Sequence, residues 1–301
     1  WLQKISKSGE ANSMLYLGVL LTKTGRGQEA EKWYRKSAGL GDTDAMYNLG
    51  FLLTETGRDQ EAEEWYRKAS EIGHFNAAYN LGLLLTKTGR GQEAEEWYRK
   101  AAGLGDTDAM LQLGFLLKRE GRGQEAEKWY RKAAGLGDTD AMFNLGFLLK
   151  REGRVQEAEE WYRKSAVLGH SNAMINLGNL LINTGRGQEA EKWCRKSAAH
   201  GNVGAMVNLG FLLINTGRLQ EAEKWCRKAV DLGHSNAAYN LGIVLEKDGR
   251  TEEAQECYRK AIQLNHHCSF ILLAEILPSE EVGEREFLYK QALEYGVRDA
   301  E

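Results

Sequence analysis

The chain is poor in the residues that break or staple a fold. It holds one proline, Pro278, and four cysteines among 301 residues. A proline inside a helix removes a hydrogen bond and clashes with the preceding turn, so its near absence leaves long stretches free to run as helix. Cys194, Cys226, Cys257 and Cys268 all lie in the last third and form no CxxC pair, which argues against a disulfide framework or a paired-cysteine zinc site. Charge of one sign is also lacking. A net charge of −3 gives none of the polycationic signature of a nucleic-acid or acidic-membrane binder. No apolar run approaches the roughly 18 residues of a membrane span. GxxxxGK[ST], HExxH and GxSxG are missing, as is a GxGxxG following a strand, so the chain reads as a non-enzyme without cofactor or metal.

What is present is a period. Gly-Arg pairs fall at Gly25, Gly57, Gly89, Gly121, Gly153, Gly185, Gly217 and Gly249, each 32 residues after the last. A fixed period in this range marks a stacked-repeat architecture, with function spread over a surface. Within Thr43 to His74, Met46, Leu49, Gly50 and Leu53 make one helical stripe, broadened by Leu52. Gly57 ends this helix A in the left-handed conformation. Helix B is expected from near Gln60, with Ala62, Trp65, Tyr66 and Ala69 on its apolar face and Ile72 extending it. Gly73 ends it. His74, replaced in other copies by Asp42, Asp106, Asp138 or Asn202, opens the next helix as an N-cap.

Gly50 and its copies Gly18, Gly82, Gly114, Gly146, Gly178, Gly210 and Gly242 sit inside helix A, where glycine costs about 1 kcal/mol relative to alanine. The expected compensation is close backbone approach of a neighbouring helix, with Trp and Tyr filling the gaps. Glu63→Arg67 and Glu64→Lys68 read as i, i+4 pairs on a solvated outer face. Cys194 and Cys226 replace Tyr at one repeat position; stacked equivalents lie about 10 Å apart, too far for a disulfide. They read as free, buried thiols in a reducing, cytoplasmic setting. Residues 1–8 match the second half of a repeat, 9–265 hold eight regular repeats, and 266–301 a degenerate copy, all one solenoid. Both ends are ragged, which reads as a fragment of a longer protein.

Leu49-Gly50, Gly57, Ala62, Tyr66 and Ala69 have the spacing of the tetratricopeptide repeat, which the chain resembles over residues 1–265. The usual repeat has 34 residues and a linker proline. Here the linker is shorter, Gly-Asp-Thr-Asp-Ala or Gly-His-Ser-Asn-Ala, and with Trp-Tyr-Arg-Lys-Ala-Ala before it resembles the Sel-like branch. The resemblance implies an all-α, right-handed α-α superhelix of about eight to nine two-helix repeats. It implies a scaffold that holds an extended peptide in a concave groove lined by helix A.

The family's inward positions map onto Asn48, Asn80, Gln112, Asn144, Asn176, Asn208 and Asn240, with Tyr16 in the first repeat. A carboxamide both donates and accepts, so such a row can hold a peptide main chain; equally, it can bond to the neighbouring helix. Beside it run Tyr47, Phe51, Tyr79, Leu83, Phe115, Phe143, Phe147, Phe211 and Tyr239, either pockets for partner side chains or inter-repeat packing. Lys118, Arg119, Lys150 and Arg151 make the middle of the surface basic, while Ile182, Asn183, Ile214 and Asn215 leave the later repeats neutral. The partner expected is a protein or peptide, with an acidic segment at the basic middle; four cations at helix ends also fit dipole complementation. A docking, sensing or oligomerisation arm of a larger signalling protein is the alternative. An RNA-reading array would vary its inward residues between repeats, and these are nearly constant. His266-His267-Cys268 lacks paired metal-ligand spacing, and His74, His170 and His234 read as turn residues.

Overall fold

The computed structural model describes residues 10–297; the expected partial helix at 1–8 and the last four residues lie outside that range. The described residues form eighteen α-helices and no strand. Packing divides the chain into two compact units, one ending at Arg151 and the other beginning at Glu152.

In the first unit α1 (Ala11–Lys23), α3 (Thr43–Glu55), α5 (Phe75–Lys87), α7 (Thr107–Arg119) and α9 (Thr139–Arg151) are A helices. They alternate with the B helices α2 (Gly27–Gly39), α4 (Asp59–Glu71), α6 (Gly91–Gly103) and α8 (Gly123–Gly135). The second unit opens on a B helix, α10 (Val155–Val167), and continues through α11 (Ser171–Asn183), α12 (Gly187–Ala199), α13 (Val203–Asn215), α14 (Leu219–Asp231), α15 (Ser235–Lys247) and α16 (Thr251–Gln263). A degenerate pair follows, α17 (Ser269–Ile276) and α18 (Val282–Glu294). Within each unit every helix packs on the next, and A helices also meet, α3 with α5, α11 with α13, and α13 with α15. Pro278 stands two residues past α17, and Leu277 before it is extended, as a residue preceding proline prefers.

The punctuation follows from side-chain chemistry. Gly57 is left-handed at φ 75°, and the Arg58 amide closes back on the Leu53 carbonyl at 2.8 Å. At the A-helix starts the Asp42, Asp106 and Asp138 carboxylates accept from the amides of Ala45, Ala109 and Ala141 at 2.6–2.8 Å. His74 and His170 do the same through Nδ1, accepting from Ala77 and Ala173. His234 makes no such bond. Helix B begins at Asp59, one residue before the expected start. Ile72 does not extend its buried face. It sits in the turn, 63% exposed, because the left-handed Gly73 redirects the chain there.

The mid-helix glycines prove to be seats for an aromatic ring, which corrects the expectation of a backbone contact. A Cβ on Gly50 would stand 2.7 Å from the Tyr66 ring of the following B helix, and one on Gly114 2.3 Å from Tyr130. The same contact recurs at Gly18 with Tyr34, Gly82 with Tyr98 and Gly242 with Tyr258. The tyrosines are buried; the tryptophans are only half-buried. Instead of filling the core, they carry lysines on their outer faces, Lys68 Nζ lying 4.5 Å from the Trp65 centroid. Lys68 thus serves Trp65 and not Glu64.

The Arg of the Gly-Arg pair ties successive layers together. Glu63 binds Arg67 at 2.8 Å and Arg90 of the next layer at 2.7 Å, and both arginines also reach Glu93. Four side chains thereby close a ring spanning two layers. Equivalent rings join Glu31, Arg35, Glu61 and Arg58, and Glu191, Arg195, Glu221 and Arg218. Single exposed pairs contribute little, but a cross-linked network constrains layer geometry. Hydrogen bonds from arginines hold Glu93, Glu125 and Glu221 down at about 2.

A carboxylate depressed in the fold contributes stability that is complete above its ordinary range, near 4.5, and lost as pH falls toward 2. The melting temperature should therefore be flat from pH 7 to about 5 and drop steeply between about 4.5 and 2. Replacing Glu63, Glu95 and Glu191 by Gln should shrink that acid-dependent drop. Circular-dichroism melts across this range check both points.

Candidate functional site

The A helices of the first unit bring the expected surface residues to one face, but in different states. Phe51, Leu83, Phe115 and Phe147, one per repeat, are exposed. Tyr47 and Tyr79 are half-buried and lean on the core: Tyr47 stacks on His74 with centroids 4.8 Å apart and tilts against Tyr66, and Tyr79 tilts against Tyr98. Phe143 is half-buried. The sequence-level alternative thus divides by position, with the tyrosines packing and the row beginning at Phe51 open to solvent.

Three of the seven carboxamides in the row are engaged. Asn144 donates to the Asp140 carbonyl of its own helix at 2.8 Å, and Asn208 to Asn179 Oδ1 of the preceding A helix at 2.6 Å. Asn240 is buried and donates to the Val207 carbonyl at 3.3 Å. Asn80 and Gln112 are half-buried. Asn48 and Asn176 are half-buried.

Among the basic residues Lys118 stands apart. It is half-buried, with Nζ 4.6 Å from the Phe147 centroid. Burial, then the nearby Arg151, lowers its pKa. Arg119, Lys150 and Arg151 are exposed. Arg119 also lines a cleft of about 160 Å³ with Thr86, Tyr98, Gln112, Phe115 and Leu116. In the second unit Phe211 is exposed, Tyr239 is half-buried and packs on His266 at 4.4 Å, and Ile182 and Ile214 are half-buried while Asn183 and Asn215 are exposed.

A coupling inside the repeat escaped the sequence reading. In four layers the residue twelve before the core tyrosine meets its hydroxyl: Thr22 and Tyr34 lie 3.0 Å apart, Thr54 donates to Tyr66 at 3.5 Å, Thr86 and Tyr98 lie 3.2 Å apart, and Tyr258 donates to Glu246 at 2.7 Å; the Tyr130 hydroxyl, twelve after Lys118, is buried without a partner. Where the tyrosine becomes Cys194 or Cys226, the partner position becomes Ile182 or Ile214. Loss of the hydroxyl removes the need for a polar neighbour. Both thiols are buried and free, and burial pushes them up to about 12, so they stay protonated and poorly nucleophilic. Reading the two positions as a pair would have shown this in the sequence.

Among the described residues no three His, Cys, Asp or Glu side chains gather as a metal site. His266 and His267 turn to different partners: His266 bonds Ser269 at 2.9 Å, and His267 stacks on Tyr295 at 4.0 Å. No helix among the described residues is long and apolar enough to cross a membrane.

Sequence models of the tetratricopeptide repeat match residues 11–39, 43–73, 73–109, 139–166, 171–199 and 201–265. A Sel1 repeat model matches 107–138. The Sel1 repeat protein from Oxalobacter formigenes is 30% identical, covering 72% of this chain and 99% of that one, with a TM-score of 0.54. The chain belongs to the tetratricopeptide/Sel1 repeat superfamily. Its fold is also that of c5321, a protective antigen of uropathogenic Escherichia coli strains with an SLR fold, at 22% identity over 97% of this chain and 94% of that one and a TM-score of 0.64. No curated protein matches the sequence. Tetratricopeptide and Sel1 repeats are generally protein-interaction modules, and the two-helix layers found here are of that kind.

Truncating the buried Asn240 removes an inter-helix hydrogen bond and leaves a void, whereas Asn144 makes only a local bond on its own helix. Asn240→Ala should cost about 1–3 kcal/mol and Asn144→Ala under about 0.5 kcal/mol, read from denaturation midpoints.

Proposed function

We propose that the chain is a non-enzymatic scaffold whose A-helix face in the first unit holds an extended, partly acidic segment of another protein. The observation that carries this reading is the row Phe51, Leu83, Phe115 and Phe147, large apolar side chains left exposed at one position per repeat. Exposed aromatic side chains aligned this way are a usual mark of an interaction surface. Packed helices lie about 8–10 Å apart, and an extended chain advances about 3.3 Å per residue, so such a row suits a partner with an apolar residue at about every third position. Arg119, Lys150 and Arg151 stand beside the row with no carboxylate in ion-pair reach among the described residues, which favours acidic residues in the partner.

This reading shifts weight from the carboxamides, three of which are already bonded, to the apolar row and its cations. Capture of partners from lysate by the chain should be lost with Phe115→Ser plus Phe147→Ser. It should become weaker, by about tenfold or more, and less salt-sensitive with Arg119→Glu plus Arg151→Glu. Retention of the same captured proteins by both folded variants would place binding on another face and defeat the proposal.

A further inference from the structure

The outer face of the B helices carries a ladder with one missing rung. Trp33, Trp65, Trp97, Trp129, Trp161, Trp193 and Trp225 recur every 32 residues. Each has the lysine three positions later over its ring, at 4.0 to 5.7 Å. At the eighth position the residue is Cys257, while Lys260 is kept.

The layer of Trp97 shows what the missing ring would meet. Its indole lies between Lys100, 4.9 Å from the centroid, and Arg67 of the preceding B helix, at 5.7 Å. The counterparts of these two cations at the eighth layer are Lys260 and Arg227. Arg227 is held by Glu223 and Glu253, as Arg67 is by Glu63 and Glu93, so both halves of the clamp are in place without a ring between them.

Lys260 and Arg227 border a cleft of about 410 Å³ whose lining also includes Val230, Leu241 and Cys257 and the carboxylates Asp231 and Glu256. A shallower cleft of about 580 Å³ two layers earlier is lined by Arg163, Gln188, Glu189, Lys192, Trp193 and Lys196, with the indole in its wall and no counterpart of Val230 or Leu241. Val230, where the six earlier layers carry Ala or Ser, returns some volume to the floor and none to the rim. The half-buried Cys257 thiol lies in the same cleft, and sulfur makes favourable contacts with aromatic rings.

We propose that this cleft is a docking site for a tryptophan side chain of a partner protein, the indole entering between Arg227 and Lys260 as Trp97 lies between Arg67 and Lys100. Cation–π attraction to indole is stronger than to the other aromatic side chains, and Val230 and Leu241 with two cations above them suit an indole better than an aliphatic group, while Asp231 and Glu256 offset the cations' net charge. The site lies on the B-helix face and does not rest on the A-helix reading.

The test uses the full chain and the peptide acetyl-Gly-(5-fluoro-Trp)-Gly-amide, followed by fluorine NMR. Saturable binding with a dissociation constant on the order of 1 mM is expected for one side chain. Cys257→Trp, which completes the ladder, should reduce affinity at least tenfold while leaving the melting temperature equal or higher. Lys260→Met should weaken binding severalfold. The proposal is overturned if the peptide fails to saturate the chain, or if Cys257→Trp binds it equally well. It is also overturned if Cys257→Trp lowers the melting temperature, since the cleft then has no room for an indole.

Discussion

Five of the layers depend on a tyrosine ring seated on a glycine, at Gly18, Gly50, Gly82, Gly114 and Gly242. A tetratricopeptide-type layer must bring two helices close enough for a single aromatic side chain to fill the space between them. The mid-helix glycine makes that possible: at Gly50 or Gly114 a methyl group would stand well inside contact distance of the tyrosine ring. Intrinsic helix propensity loses at this position because burial of a tyrosine, worth several times the glycine's cost of about 1 kcal/mol, is contingent on it. The threonine or glutamate that meets the hydroxyl, and the isoleucine that replaces it when the ring is gone, follow from the same constraint.

Once the layer is fixed, its two surfaces acquire different chemistry. Outward, half-buried tryptophans and an arginine–glutamate lattice link one B helix to the next. Inward-type positions on the A helices leave phenylalanines uncovered, although the residues around them are already satisfied. Phe115 packs edge-on against Tyr130 and Phe147 lies under Lys118, yet each residue stays 37% exposed, which is why the interaction surface is assigned there. The same reasoning isolates Cys257, where a position used for lattice building in seven layers is vacated in the eighth while its cations remain.

Local features of the fold were legible in the sequence, since they are written in residues that have few alternative uses. The left-handed glycines, the Asp and His caps, the helix pair and the 32-residue period needed only spacing and backbone chemistry. Features joining residues from different layers were harder. The mid-helix glycines signalled a close approach, yet not whether backbone or ring made it. Ile72 looked like a continuation of an apolar stripe until the turn at Gly73 carried it into solvent. Glu63 and Arg67 were visible as a pair within one helix; their closure with Arg90 and Glu93 requires the stacking itself. For the candidate surface, residue type located the face but not the division of labour on it, because Tyr47 and Phe51 differ in exposure and not in chemistry.

The ring-on-glycine contact is tested most directly by comparing Gly114→Ala with Gly178→Ala in denaturation midpoints. Gly114 faces the buried Tyr130 ring at 2.3 Å, whereas Gly178 faces the Cys194 sulfur at 2.9 Å, the end of a short side chain that can rotate. The account predicts a loss of about 1–3 kcal/mol for Gly114→Ala from overpacking and, for Gly178→Ala, a change within about 1 kcal/mol of zero as helix propensity offsets the contact. Equal effects at the two sites, or stabilisation by Gly114→Ala, would contradict it.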